Sequence, residues 1–526
     1  MSARTGWLIA AVAALTAGSA WAQKPGGILK IQHMDTPPSA SIHEEATVSV
    51  AVPFMGLYNN LVLFDQQVAK NSFDSIVPEL ATKWTWSSDG KQLAFTLRQD
   101  VKWHDGRPFT AKDVACTFDM LMGGEGKLRR NPRAAWYGNV EKVVTDGDSA
   151  VTFHLKERQP SLLALLASGY SPIYPCHVSG ADMRRRPIGT GPFKLAEFKM
   201  NESIKLVRNP DYWKPGRPYL DGIEYTIIAN RSTRMLSFAS GKFDMTFPTD
   251  LTVPLHKDMK KEAPHVVCTM RDTGVSTNLI VNREVPPFDD PRIRRALALT
   301  LDRQAFIDIL AEGEASIGGA MLPPPAGVWG MPGEMTRAIV GYGNVEANRE
   351  QARQLMREAG FAADKRLKVK VSTRNIATFR DPATILIDHL KHIWVDGELE
   401  VIDTAVYYSR VFKKDYVVAL NLTGSAVDDP DVTFFEGYAC GSLRNYNHYC
   451  DADLTKLIQA QSGEVDQAKR RQIVWAADRK LQEDIARPII MHGRAAGCWQ
   501  PYVKGVVLHT NSIYNGWRFE DVWLDK

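Results

Sequence analysis

Few of the 526 residues stand at spacings that could do covalent chemistry. The chain contains no Gly-x-Ser-x-Gly and no His-Glu-x-x-His, so neither a serine hydrolase nor a zinc peptidase has a motif to stand on. His389 and His392 lie at i, i+3, where one helix face could clip a metal; two partly exposed histidines on a helix is the plainer reading. Asp428, Asp429 and Asp431 form an acidic patch around Pro430. It lacks the spaced oxygen ligands and closing Glu of a calcium loop, and reads as a turn closing a strand. Gly189-Thr190-Gly191 could cradle a phosphate, but no helix carrying a P-loop lysine follows it. None of the six cysteines forms a Cys-x-x-Cys pair, which removes the usual zinc and thioredoxin-like readings. These residues predict no catalytic group, no metal and no cofactor. What remains is binding chemistry: 13 Trp and 16 Tyr, some of which could line a pocket.

The N-terminus bears on the compartment. Arg4 precedes an apolar run from Trp7 to Ala17, and Ala20-Trp21-Ala22 offers small residues at −3 and −1. This is the pattern of a secretory signal over residues 1–22, cut between Ala22 and Gln23. The run is shorter than the ~20 residues that span a bilayer, and no later run is long enough either. A soluble, exported, periplasmic protein is therefore expected. Export permits disulfides, and an even number of cysteines fits them. Cys440 and Cys450, which bracket Gly441–Tyr449, are the best pair by position. Net charge is only +4, and Arg129-Arg130 and Arg184-Arg185-Arg186 are short runs best read as solvated loops, so no nucleic-acid partner is predicted. The length exceeds one core and implies two or three domains.

The elements that must position any site are α/β. Trp84-Thr85-Trp86 and Leu93, Phe95, Leu97 alternate on either side of the turn Ser87–Gly90, which predicts a hairpin with one buried face. Thr110 with Asp113 predicts a capping box opening a helix through Val114, Phe118 and Leu121. A first strand is expected over Gly26–Ile31 and a strand pair over Glu141–Leu155. A helical region with a break near Thr300–Asp302 is expected over Asp290–Leu310. Leu367–Val371, Pro382–Ile393 and Leu399–Ile402 read as strand, helix, strand, an α/β unit with parallel strands, and Val417–Leu422 as a further apolar strand. Later helices are expected over Asp453–Gln461 and Ala468–Ile485, and a late strand over Pro488–Met491. No repeat of 20–50 residues is present.

The order of motifs in Leu80–Phe118, with its Trp-Ser-Ser-Asp-Gly, Phe-Thr-Leu-Arg and Val-Lys-Trp-His-Asp-Gly steps, resembles the signature block of the extracytoplasmic solute-binding proteins of family 5. These are the receptors of peptide and nickel ABC importers. Gly189–Phe193 followed by Arg208-Asn209-Pro210-Asp211-Tyr212-Trp213 resembles the family's second signature, and Asp290–Arg303 its helix. The resemblance runs from about Gly27 to the C-terminus and implies a class II periplasmic-binding-protein fold, α/β, with two lobes and a hinge. Lobe I would hold residues 23–272 plus 500–526, with an extra subdomain at 60–187; lobe II would hold 273–499. The hinge crossings would lie at Cys268–Val275 and Cys498–Tyr502, and the fold so implied suggests Cys268–Cys498 and Cys116–Cys176 as further bridges.

In such a fold, loops at the carboxyl ends of parallel strands face the cleft. That selects Arg374 and Asn375 after one strand, Thr423, Ser425 and Asp428 after another, and His33, Met34 and Asp35 after the first strand of lobe I, with Tyr407 and Tyr408 as aromatic walls. Arg374 could clamp a ligand carboxylate with both arms of its fork. The resemblance also carries a departure. Dipeptide and oligopeptide receptors place an Asp four residues before a Pro, where it pairs with the peptide's ammonium; here Ala426 stands four residues before Pro430. A buried ammonium without its carboxylate costs several kcal/mol, so an ordinary peptide receptor is not expected, unless Asp428 serves by a register change. The expected protein is a monomeric receptor that captures a small peptide-like or opine-like solute by lobe closure and delivers it to an inner-membrane ABC permease. The alternatives are a nickel or metallophore receptor of the same family, and an exported hydrolase.

Overall fold

The computed structural model describes residues 23–124 and 128–526, so the predicted signal segment lies outside the described residues. Strands Ile28–His33, Gly222–Ile227, Ser203–Arg208 and Phe193–Lys199 make one four-stranded sheet in that order. Its first pair is parallel and the rest antiparallel. Strands Val395–Ile402, Leu367–Arg374, Val418–Gly424, Val267–Val281 and Ile489–Trp499 make a five-stranded sheet in that order. Its first three strands run parallel to one another, as the strand–helix–strand pattern predicted. These sheets are the centres of two lobes. A separate antiparallel sheet of Ala81–Trp86, Gln92–Leu97, Ala150–Leu155 and Val140–Asp146 sits beside the first lobe.

Local chemistry explains the elements that the sequence announced. In the predicted hairpin Trp84 pairs with Phe95 and Trp86 with Leu93. Phe95 and Phe153 meet edge to face at 5.7 Å beneath the sheet. Thr110 and Asp113 close their reciprocal box around the helix Ala111–Met122, the Asp113 carboxylate accepting the Thr110 N–H at 3.0 Å. The break in the 290–311 region is real: helix Pro291–Leu299 ends and Asp302 caps a second helix, Arg303–Ala311.

The structure also corrects several boundaries. The late strand runs to Trp499 because it pairs along nearly the whole of Val267–Val281, a 15-residue strand that alternation alone did not reveal. The helix expected to begin at Pro382 begins at Ala377 and carries that proline internally. The acidic patch is not a turn closing a strand. Asp429 accepts the Asp431 N–H and caps helix Pro430–Gly437, with proline at its first position, where the missing N–H costs nothing.

The two lobes are joined along the antiparallel pair Val267–Val281 and Ile489–Trp499. Its register breaks between Asp272 and Ser276, opposite His492–Arg494. The break is held open by Gly274, at φ +65°, where an added Cβ would lie 2.7 Å from the Asn511 carbonyl oxygen. Cys268 and Cys498 stand directly opposite each other in this ladder and are bridged; Cys116–Cys176 and Cys440–Cys450 are the other two disulfides.

The bridges differ in the loops they close, 230 residues apart for Cys268–Cys498 and 10 for Cys440–Cys450. Loop-closure entropy then makes the first worth ~3 kcal/mol more than the second. Guanidinium unfolding of the two paired Cys→Ser variants should show that ranking. Equal losses would mean that the long bridge does not act by restricting the unfolded chain.

Candidate functional site

A cavity of about 350 Å³ lies between the lobes. Its first-lobe wall is Met34, Ala46–Val48, Thr249 and Leu251–Leu255; its second-lobe wall comes from Thr273, Val275, Thr277, Ile309–Ala311, Arg374, Thr378, Phe379, Asp381 and Pro382. Most of the surface is aliphatic or aromatic. Threonine hydroxyls at 47, 249, 252, 273, 277 and 378 supply polarity without charge. This is the general make-up of a small-molecule pocket, apolar with a few placed polar groups.

Strand alternation decides which residues reach it. Thr273, Val275 and Thr277 of one strand and Leu422 of its neighbour face the cleft. Gly274, Ser276, Asn278 and Thr423 face the opposite side, a small chamber of about 40 Å³. Thr423 and Ser425 thus line the chamber and not the cleft. The residues overlooked are Leu422 and Thr277, and the signal for them was the period of two combined with the antiparallel register Thr277–Leu422. Gly424 is needed at the rim because an added Cβ would come within 2.7 Å of the Tyr514 ring and hydroxyl.

The other sequence candidates separate in the same way. Met34, Arg374 and Tyr408 line the cleft. His33 does not: it is fully buried between Tyr225 and Phe247, with Nε2 3.1 Å from the Ser49 carbonyl oxygen. Burial lowers its pKa to about 4, so it is neutral. Asn375 faces outward, donating to Asp403 at 3.1 Å and accepting from Arg380 at 3.0 Å. Tyr407 lies on helix Thr404–Phe412, an element the sequence reading missed, and points into an aromatic core where its hydroxyl meets the Leu420 carbonyl at 3.3 Å. Ser425 turns back to donate to the Val427 carbonyl. Ala426 is buried, and its carbonyl accepts from Ser512 at 2.9 Å and Asn515 at 3.1 Å, both in the C-terminal segment of the other lobe.

Arg374 is not a free clamp. Its Nε and Nη2 donate to the Thr404 hydroxyl at 3.0 and 2.8 Å, and Nη2 donates to Asp35 at 2.8 Å. The guanidinium also stacks within 4.6 Å of Phe379 and 5.3 Å of Tyr408. Because Asp35 belongs to the first lobe and Arg374 to the second, the pair is an interlobe latch. Asp431 makes another, accepting from Ser161 at 2.5 Å and Gln159 at 3.2 Å across the same gap.

Asp428 sits in the small chamber, where it accepts the Val328 N–H at 3.3 Å. Burial, with Asp429 adding to it, pushes its pKa up to about 7. Among the described residues, His389 and His392 belong to no group of three or more His, Cys, Asp or Glu placed to hold an ion. His389 is instead buried, its Nδ1 accepting the Asp302 N–H at 3.3 Å.

Two α/β lobes joined by a strand pair, with a largely apolar cleft between them, are the architecture of a ligand-enclosing binding protein. Comparison with known proteins defines the family. Residues 75–444 match the bacterial extracellular solute-binding proteins, family 5, and the chain belongs to that family. The family's members are transport proteins that bind substrates outside the cytoplasm. Among curated relatives, the di/tripeptide-binding protein 1 of Pseudomonas aeruginosa is 24% identical over 482 residues, covering 86% of this chain and 85% of that one. The periplasmic binding protein DppA of Helicobacter pylori, solved with the peptide STSA, superposes with a TM-score of 0.83 at 22% identity, covering 96% of this chain and 99% of that one. AgaA of A. tumefaciens R10, solved with agropinic acid, superposes with a TM-score of 0.83 at 21% identity, covering 95% of this chain and 99% of that one. No helix among the described residues is long and apolar enough to cross a membrane.

Two outcomes are expected. Replacing Asp35 with Asn leaves Arg374 buried without its counter-charge, a loss of about 3 kcal/mol in the closed form. Small-angle scattering of the ligand-free variant should show a larger radius of gyration than wild type; an identical curve would remove the latch role. The second concerns Asp428, whose folded state holds a proton up to about pH 7 while its ordinary value is 3.8. The folded protein binds the extra proton between those values, so this group lowers stability progressively as pH rises through that window. Asp428→Asn should raise the melting temperature at pH 8, with the gain closing toward pH 4. A gain independent of pH would show that Asp428 is not the group responsible.

Proposed function

We propose that this protein is the periplasmic solute receptor of an ABC importer, acting as a monomer. It takes a small peptide-like or opine-like solute into the interlobe cleft, closes over it, and presents the closed form to an inner-membrane permease. It performs no chemistry on the solute. The chain would be exported and cut after Ala22. Lobe I is residues 23–272 with 500–526, carrying the 60–187 subdomain, and lobe II is 273–499.

One observation carries this reading. The cleft of about 350 Å³ is walled by both lobes at once, so that neither lobe alone encloses a ligand. Closure is what creates the site, and the paired strands at 272–276 and 492–494 are the place about which the lobes can turn. A volume at the low end of the usual 300–1,000 Å³ range suits a compact solute better than a long peptide. The di/tripeptide and agropinic-acid proteins to which the chain is similar support a ligand of that size.

Mass spectrometry of small molecules released by denaturing the natively purified protein should recover one solute in near-equimolar amount. Scattering curves with that solute removed and restored should differ by lobe closure. A protein that releases nothing, and whose scattering curve is unchanged by a broad library of solutes, would overturn the reading.

A further inference from the structure

Most arginines around the cleft have a carboxylate. Arg374 has Asp35, Arg231 has Asp381, Arg494 has Glu314 and Arg444 has Glu436. Above the cleft, Glu45 is taken by Arg129 and Arg130, and Glu44 by Arg184. Arg133, Arg271 and Arg487 are each only 2% exposed and have none among the described residues, and of these Arg133 is the one stacked toward the cleft through Tyr170 and Tyr514. The Nη1 of Arg133 donates to the carbonyls of Glu45 at 2.8 Å and Ile42 at 3.3 Å, while Nε and Nη2 are buried with no partner.

This guanidinium is joined to the cleft by an aromatic stack. Tyr514 lines the cleft, packs on Tyr170 at 4.8 Å between ring centroids, and Tyr170 carries the Arg133 Cζ 3.2 Å above its face. The Tyr170 hydroxyl is likewise buried without a partner. An unpaired buried guanidinium costs several kcal/mol, and two idle donors on it add to that cost. Burial and the neighbouring positive charge of Arg444 lower the Arg133 pKa to about 10, the response of a cation with nothing to neutralise it. The carboxylate of this region without an ion pair is Asp428. It lies in the separate small chamber, engaged by the Val328 N–H, and is not a counter-ion for a ligand ammonium in the cleft.

We propose that the solute is an anion whose carboxylate is received by the Nε–Nη2 edge of Arg133 together with the Tyr170 hydroxyl, and that a free ammonium is not part of what the site recognises. This deepens the receptor reading above and rests on it. The preferred class is an amine-free or N-substituted carboxylic acid, since the protein offers such a ligand a spare cation and offers an ammonium no spare anion in the cleft. Arg133 and Tyr170 line neither the cleft nor the chamber, so the acid reaches them only if the Tyr514 ring moves aside.

The test is a melting-temperature screen of the full-length secreted protein against free dipeptides, N-acyl dipeptides, amino-acid–sugar conjugates and dicarboxylic acids. Calorimetry follows on each hit and on its carboxyl methyl ester, using wild type, Arg133→Gln and Arg133→Lys. The expected hits are N-substituted or amine-free acids. Their esters should bind more than tenfold more weakly to wild type, and Arg133→Gln should bind the acids more than tenfold more weakly while treating acid and ester alike. Arg133→Lys, which retains the charge, should recover part of the preference for the acid and serves as the control for folding. Hits that need a free amine, esters that bind as well as acids, or an Arg133→Gln protein that still separates acid from ester would overturn this inference and leave the receptor intact. A screen with no hit, with no solute released on denaturation, would overturn the receptor reading itself.

Discussion

The rest of the molecule depends on one antiparallel ladder, Val267–Val281 against Ile489–Trp499. It is the route by which the chain enters and leaves the second lobe, and it belongs to both. At one end Cys268 and Cys498 face each other and are bridged; at the other the same strands are the last two of the five-stranded sheet, with Ile489–Trp499 at its edge. Between them the register slips, with a glycine in the left-handed region. A ladder that is covalently pinned at one end and irregular at Asp272–Ser276 and again at Thr277–Asn278 is most easily bent at those breaks. The alternation of its side chains then sorts residues between cleft and chamber. Hinge and binding surface are consequences of the same pairing.

Beside the apolar packing of Ile376, Phe379, Ala426 and Val427 on the first-lobe core, the lobes are held by polar contacts, and these have an energetic meaning. A buried ion pair such as Asp35–Arg374 gains Coulomb energy but repays the desolvation of both ions, so its net worth is small compared with its cost when broken on one side. The hydrogen bonds to the Ala426 carbonyl and to Asp431 exchange protein partners for water, each contributing about 1 kcal/mol. These polar contacts therefore make closure specific in geometry while adding little to its free energy. A ligand can shift such an equilibrium by no more than its differential affinity for the closed form. A cleft made mainly of apolar surface and threonine hydroxyls supplies that difference when closed, because both walls then touch the ligand.

Much of the scaffold was legible because its cues are local. The hairpin at 84–97 and the capping box at 110–113 are set by side chains within a few residues of the backbone they fix. The parallel unit of the second lobe showed itself by alternating periods. The extra subdomain, which carries the family signature, is held by these local devices. The site was less legible because it is made of non-local decisions. Arg374 stood out correctly as a functional group, yet its partner is 339 residues away in sequence, and only tertiary contact shows that the fork is already occupied. Thr423 and Ser425 line the chamber and not the cleft, since a shift of one residue exchanges every side chain between two faces. Helix Thr404–Phe412 went unseen because its buried face is only Thr404, Tyr407, Tyr408 and Val411 in nine residues, short enough to pass for a strand or a loop. Its two tyrosines were then divided by helix geometry, one into the core and one to the cleft.

The same reasoning explains why the solute is harder to read than the receptor. Family and fold follow from many residues, each weakly constrained and mutually consistent. Ligand charge is decided by a difference of one or two groups after all internal pairs have been cancelled. Around this cleft the cancellation leaves buried cations over, with Arg133 the one stacked toward the cleft, while Ala426 contributes only a backbone carbonyl that is spent on the opposite lobe. No motif marks that remainder, because Arg133 lies in a stretch that reads as an ordinary basic loop, and its acids, Glu44 and Glu45, are drawn off by Arg129, Arg130 and Arg184. A cation retained in such a place at a cost of several kcal/mol is physically intelligible when the missing counter-charge arrives with the ligand, and the closed cleft is the compartment from which it would come.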